Sequence, residues 1–186
     1  MRIRFLSGNE HKIREAVSIM KLVGVTVVPL PIKLEELQTP DTAAIVQDKV
    51  AKAFHRIGHP LFVEQTGLSI DRLNGFPGGL AQVFWDTLKA DRVCELFGQG
   101  PDTGVTAKTL VGYCDGRSSI QYFEGAVRGH IAPNPRGDPT FQWDCVFVPE
   151  GHAETYAEMG EKKNAISMRR IALDALAVHL KGTMNA

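Results

Sequence analysis

IRFLSGNEHKIREAVSIMKLVGVTVVPL, residues 3–30, is the stretch that decides the fold. Ile3 to Leu6 is a short apolar run of strand type, and Ser7-Gly8-Asn9 is a turn whose Asn caps a helix from about Glu10 to Val23. Gly24 ends that helix, and Val25 to Leu30 reads as a second strand. A strand, a helix and another strand in succession imply parallel pairing, so the sheet is at least partly parallel and the class is α/β. Working outward, Pro40-Asp41-Thr42 opens another helix whose apolar face holds Ala44, Ile45, Val50, Ala51 and Phe54, and Gly58-His59-Pro60 stops it. Leu61 to Glu64 is the next strand, and Ala81 to Phe97 is mainly helical.

The second half changes character. Thr106 to Tyr113 and Gln121 to Val127 are strands joined by the turn signal Cys114-Asp115-Gly116-Arg117, which predicts an antiparallel hairpin. Phe141 to Val148 is a further strand-like run. Ile166 to Leu180 is an amphipathic helix with Ile171, Leu173, Leu176, Val178 and Leu180 on its apolar side. His130 to Thr140 carries three prolines and reads as a stiff exposed loop, too short to be a linker. Residues 1–186 are therefore expected to form a single domain in two lobes.

Composition narrows the possible roles. The chain has 186 residues, 44% hydrophobic and 23% charged, enough for a sizeable core. Twenty-one basic residues balance twenty-one acidic ones, so no overall field draws a nucleic-acid polymer or an anionic membrane. Cys94, Cys114 and Cys145 are odd in number and widely spaced, without a Cys-x-x-Cys pair, which argues against a disulfide framework or structural zinc. The apolar start turns polar at Ser7, too soon for a signal peptide, and no run reaches membrane-spanning length. The expected location is the cytoplasm.

Four segments carry chemistry. In Ser7-Gly8-Asn9-Glu10-His11-Lys12 a hydroxyl, free backbone amides and an ammonium can surround phosphate at a helix N-terminus, although such turns are commonly only caps. In Phe62-Val63-Glu64-Gln65-Thr66-Gly67-Leu68 an apolar strand ends in a carboxylate and an amide before a Gly turn, a place suited to metal or water chemistry. Glu35 and Glu36 read as a solvated pair, but a carboxylate facing phosphate can hold Mg²⁺. Phe141 to Gly151 sets aromatics at alternating positions beside Asp144, and Glu161 to Arg170 is a basic approach to the last helix.

Taken in order, these segments resemble the inosine triphosphate pyrophosphatase family, the non-canonical purine NTP pyrophosphatases. The most specific parts are Ser7-Gly8-Asn9 with Lys12, Thr66-Gly67-Leu68 followed by Leu73-Asn74-Gly75-Phe76-Pro77-Gly78, Phe141 through Gly151, Thr155-Tyr156-Ala157-Glu158-Met159, and Lys163-Asn164-Ala165-Ile166-Ser167. The resemblance implies an elongated mixed sheet with flanking helices, two lobes around a central nucleotide cleft, a homodimer, and Mg²⁺-dependent cleavage of ITP, dITP or XTP to monophosphate and pyrophosphate. It makes Ser7, Asn9 and Lys12 contacts to the substrate phosphates, with Lys163 facing them too, and places Gly8 and Thr66 among the substrate-binding residues. Glu36 and Glu64 become metal ligands. Phe141, Trp143 and Asp144 form the purine pocket, and Ser167, Met168 and Arg169 approach its remaining edge. Lys49 on the second helix is a further candidate.

Two departures from the family pattern bear on chemistry. Glu64-Gln65 stands where the family has two acidic residues, so an amide that cannot take a proton occupies the place of the carboxylate assigned to water activation. Ser167-Met168-Arg169 stands where the family has Ser-His-Arg, which trades a hydrogen-bonding ring for a thioether. The catalytic group is thus expected to be Glu64, Gln65 and Lys12. The alternatives are a nucleotide-binding protein without turnover, which would bind nucleotide but release no pyrophosphate, and a dimeric interaction protein, which would show no thermal shift with Mg²⁺ and nucleotide.

Overall fold

The computed structural model describes residues 1–116 and 119–182. In chain order the elements are β1 (Arg2–Leu6), α1 (Glu10–Leu22), β2 (Thr26–Leu30), α2 (Thr42–Ile57), β3 (Leu61–Ile70), β4 (Pro77–Gly78), α3 (Ala81–Phe97), β5 (Gly104–Cys114), β6 (Gln121–Ile131), β7 (Phe147–Pro149), α4 (Tyr156–Met159) and α5 (Met168–Gly182). Asn9 caps α1 as expected, and Asp41 caps α2. Asn9 Oδ1 accepts from Lys12 N at 3.2 Å, and Asp41 Oδ1 accepts from Ala43 N and Ala44 N at 2.9 and 3.1 Å.

One seven-stranded mixed sheet runs β2-β1-β3-β5-β6-β7, with β4 on the side of β3. The opening is parallel as predicted: β1 pairs β2 over its whole length and β3 only at Arg4 with Leu61 and Phe5 with Phe62. β3, β5 and β6 continue as antiparallel neighbours. Of the turn expected between β5 and β6, Arg117 lies outside the described residues.

Strand alternation assigns the faces. On one face Ile3, Phe5, Phe62, Val111 and Tyr113 pack with α1 and α5, and Phe5 stacks on Phe62 at 4.5 Å. On the other, Leu6, Leu61, Val63 and Leu110 meet Val46, Val50 and Ala53 of α2. Gly112 permits that approach, because a Cβ there would lie 2.6 Å from Val46 and Val50. A third cluster joins the far ends of β3, β5 and β6 to α3, with Val93, Cys94, Phe97 and Trp143 among its members.

Several expectations change. β3 does not stop at Glu64 but runs to Ile70, and Gly67 is an extended strand residue, not a turn. Its lack of a side chain is needed because a Cβ would stand 2.5 Å from the Gly78 carbonyl of β4. Phe141 to Val148 is not one strand. Gln142–Cys145 is a 3₁₀ turn, with Gln142 at φ 44°, and only Phe147–Pro149 joins the sheet, so the alternating aromatics do not share a strand face. The last helix starts at Met168, where Ser167 Oγ accepts from Arg170 N at 3.2 Å. Ile171 and Val178 on that helix are exposed, as is Ala51 on α2; neighbouring apolar positions take the core. In the Pro-rich segment His130 and Ile131 still belong to β6, and Ile131 and Ala132 are buried.

Candidate active site

The site follows from where strands end. β1 stops at Leu6, whereas β3 continues to Ile70, so beyond Phe62 the β3 edge is no longer covered by β1. That uncovered edge, the turn after β1 and the start of α1 open onto a cleft of about 800 Å³. Ser7, Gly8, Asn9, Lys12, Glu36, Lys49, Gln65 and Thr66 all line it. A position at the carboxyl ends of parallel strands, beside a helix N-terminus, favours anions.

Glu64 and Gln65 are neighbours in the chain and therefore project from opposite faces of β3. Gln65 turns to the α2 side, where its Oε1 accepts from Lys49 Nζ at 3.2 Å and its Nε2 donates to the Gly79 carbonyl at 3.4 Å. Lys49 also donates to the Glu64 carbonyl at 3.1 Å and pairs with Glu36 at 2.8 Å. Burial, followed by the charge of Lys12, pushes the Lys49 ammonium below its ordinary pKa.

Glu64 turns to the α1 and α5 side and is buried. Its Oε1 pairs with Lys12 at 2.7 Å and its Oε2 with Arg169 Nε at 2.9 Å. Burial alone would raise its pKa, but Arg169 and Lys12 outweigh that and hold the carboxyl well below the usual range. Glu64, expected as a metal ligand, does not line the cleft, and its two oxygens pair with Lys12 and Arg169. Glu36 fits a metal better: its half-exposed carboxylate faces the cleft. Mg²⁺ commonly takes only one or two carboxylates together with substrate phosphates. Among the described residues no cluster of three or more acidic, His or Cys side chains stands ready for a metal.

A second, smaller cavity of about 280 Å³ lies on the other side of the first turn of α1, lined by His11, Glu15, Phe141, Asp144, Tyr156, Lys163 and Asn164 among others. Phe141 carries the His11 ring stacked at 4.9 Å and the Lys163 ammonium 4.2 Å from its centroid. Lys163 thus belongs to this cavity and not to the larger one where phosphates were expected to meet it. Trp143 is also displaced from expectation: it sits in the apolar core against Phe147, at 5.7 Å, and lines neither polar cavity. Met168 is buried in the same core, and Ser167 serves the start of α5.

A buried ladder of alternating charges joins the two cavities. It runs Lys12, Glu64, Arg169, Glu15, Lys163, Asp144, with Lys163 and Glu15 2.5 Å apart and Arg169–Glu15 and Lys163–Asp144 in close contact. Glu15 was not singled out from the sequence. The available signal was its spacing, four residues after His11 and three after Lys12 on one helix face.

Two carboxylates, Asp144 and Glu15, compete for the one Lys163 ammonium. Burial first, with Glu15 adding to it against the pull of Lys163, pushes the Asp144 carboxyl up to about 6. A carboxyl whose pKa is higher folded than unfolded binds its proton more tightly in the folded state, so its contribution to stability is present below the unfolded value, near 4, and is lost as pH rises through about 6. The expected result is that unfolding free energies from urea titration fall, between pH 4.5 and 7.5, by on the order of 1–3 kcal/mol more in the wild type than in Asp144→Asn. Equal slopes would mean that Asp144 is ionised throughout.

Residues 3–179 match the Ham1 family. A dITP/XTP pyrophosphatase of Methanopyrus kandleri is 34% identical over 185 residues, covering 99% of this chain and 98% of the relative. An inosine triphosphate pyrophosphatase of Kluyveromyces lactis is 36% identical over 188 residues, with coverage of 97% and 96%. The solved structure of a HAM1 protein from Coxiella burnetii superposes with a TM-score of 0.79 at 24% identity, covering 98% of this chain and 99% of the other, and shares the fold.

Proposed function

This chain belongs to the Ham1 family, and we propose that it is a nucleoside triphosphate pyrophosphatase acting on non-canonical purine nucleotides, ITP, dITP and XTP, with the triphosphate in the large cleft and the base in the small cavity. The observation that carries the reading is the division of the site. Ser7, Asn9, Lys12 and Lys49 converge on one cleft, while Phe141, Asp144 and Lys163 line a separate cavity across the first turn of α1.

In this reading the Asn9-capped start of α1 and Lys12 hold the phosphate oxygens, and Lys49 neutralises charge that develops on the departing pyrophosphate. Mg²⁺ would be held by Glu36 together with the nucleotide, where it supplies further neutralisation of the phosphate charge. Lys163 donates to the 6-oxo group of the base, and Asp144 accepts from its N1–H when ionised. Arg169 acts at one remove, by fixing Glu64 and through it Lys12. The molecule is read as one domain in two lobes, a homodimer, and a resident of the cytoplasm. Among the described residues no helix is long and apolar enough to cross a membrane.

The direct test is pyrophosphate release from ITP and XTP against ATP and GTP with Mg²⁺ present. Release above blank with ITP or XTP, and little with the ordinary nucleotides, is the expected result; none at high protein concentration overturns catalysis. One observation favours a second reading, a nucleotide-binding protein without turnover. The group nearest the expected water-activating position is the Gln65 amide, already engaged with Lys49.

A further inference from the structure

Two polar atoms at the small cavity have no partner among the described residues. The Tyr156 hydroxyl and Asn164 Oδ1 are both buried and make no hydrogen bond, although both residues line the cavity. Tyr156 is only 1% exposed. Buried hydroxyls and amides are nearly always bonded, and one left open beside a cavity points to a ligand that completes it.

The tyrosine is held in place from two sides. Its ring packs on Phe147 at 4.8 Å. Its helix begins in a capping box, with Thr155 Oγ1 accepting from Glu158 N at 3.2 Å and Glu158 Oε2 from Thr155 N at 2.8 Å. Thr155 Oγ1 also donates to the Arg136 carbonyl at 3.0 Å, which ties that turn to the loop before the 3₁₀ segment. Burial, then the charges of Asp144 and Glu15, raise the phenol above its ordinary pKa, so it is present as an O–H donor. The Thr155-Tyr156-Ala157-Glu158-Met159 motif therefore fixes an unused donor within the wall of the cavity.

We propose that Tyr156 reads position 2 of the purine, donating to the 2-oxo group of xanthine, with Asn164 beside it on the same cavity, so that the site favours XTP over ITP. The inference rests on the assignment of this cavity to the base. Lys163 and Asp144 address the 6-oxo and N1–H edge, which hypoxanthine and xanthine share. Hypoxanthine has only a C–H at position 2 and leaves the hydroxyl unpaired. Xanthine offers an acceptor there. Guanine offers an amino donor, which opposes an O–H but suits the Asn164 oxygen, so GTP separates the two polarities.

The test compares wild type with Tyr156→Phe, which removes one oxygen and keeps the ring against Phe147. Pyrophosphate release is measured with XTP, ITP and GTP, and XMP and IMP affinities are measured by titration calorimetry, which needs no turnover. The expected result is a loss of about 10-fold for XTP and XMP, little change for ITP and IMP, and an unchanged melting temperature. Equal losses for both bases, or no loss for either, overturn the inference and leave the base cavity standing. A loss confined to GTP also overturns it, by making the floor an acceptor for an amino group. If the wild type binds neither XMP nor IMP, the base cavity itself is wrong and the inference falls with it.

Discussion

Replacing Gln65 by Asp raises kcat for pyrophosphate release by about 10²–10⁴-fold, the range a positioned general base contributes, with little change in KM. Gln65 lines the cleft and touches no phosphate-holding side chain except Lys49, whose Nζ donates to its Oε1 at 3.2 Å. An Asp there is one methylene shorter and forfeits the 3.4 Å donation to the Gly79 carbonyl, but it can still accept from Lys49. The exchange also relieves Lys49, now held below its ordinary pKa by burial and by Lys12, because an adjacent carboxylate favours its charged form. The new acid is in turn kept ionised by that ammonium, ready to take a proton from an attacking water. Gln65→Asn is the control, with the length of Asp and no basicity. Steady-state pyrophosphate release from ITP and XTP by the three proteins decides the matter. A gain shared by Asn and Asp would show that side-chain length, and not a base, limits the rate. No gain in either would place water activation elsewhere in the cleft.

The same residue shows how far a sequence can be read here. The adjacency of Glu64 and Gln65 is plain in the chain and suggests two groups acting on one turn. In the fold they face opposite sides of β3, because a strand alternates and this strand continues to Ile70. What makes it continue is the pairing of Leu68 and Ser69 with β4 and of the whole length with β5, contacts far away in sequence. The βαβ opening, by contrast, is determined locally by the Asn9 cap, the α1 periodicity and Gly24, and it was legible for that reason.

The site divides in the same way. Ser7, Asn9 and Lys12 lie on one turn and helix start, so their convergence could be read directly. Phe141 to Cys145 could not, since alternating aromatics suit a strand, whereas Gln142 takes a left-handed conformation and the segment winds into a 3₁₀ turn. That winding sends Trp143 into the core and leaves Asp144 with Lys163. Lys163 and Arg169 read as substrate contacts and not as members of a buried ion-pair ladder, because their acidic partners, Glu15 and Glu64, come from α1 and β3 and are invisible from the last helix alone.

Arg169 is where the largest loss of stability is expected. Its guanidinium is 2% exposed; Nε donates to Glu64 at 2.9 Å, Nη1 to Glu15, and Nη2 to Thr66 Oγ1 at 3.3 Å. No other side chain in the ladder holds two carboxylates and a hydroxyl at once. Arg169→Met fills much of the volume but takes from Glu64 and Glu15 one of the two cations each holds, leaving Lys12 and Lys163, and breaking a buried ion pair by removing one partner costs up to about 3–5 kcal/mol. Arg169→Lys keeps the charge without the planar fork and falls between the two. Protonation gives the signature that separates charge from packing. Glu64 is held low in the wild type, so its contribution is present above the ordinary carboxylate range and lost only when pH falls through its depressed folded pKa. In Arg169→Met that depression weakens, protonation near pH 4.5 relieves the carboxylate that has lost one of its two cations, and the deficit against wild type is smaller there than at pH 7.5. Urea unfolding at both pH values measures it, and adding Glu15→Gln to Arg169→Met should recover part of the loss as the second arm of a double-mutant cycle. A deficit independent of pH and unrelieved by Glu15→Gln would reduce Arg169 to a packing residue. The ladder would then cease to explain how the base cavity and the phosphate cleft are held in register.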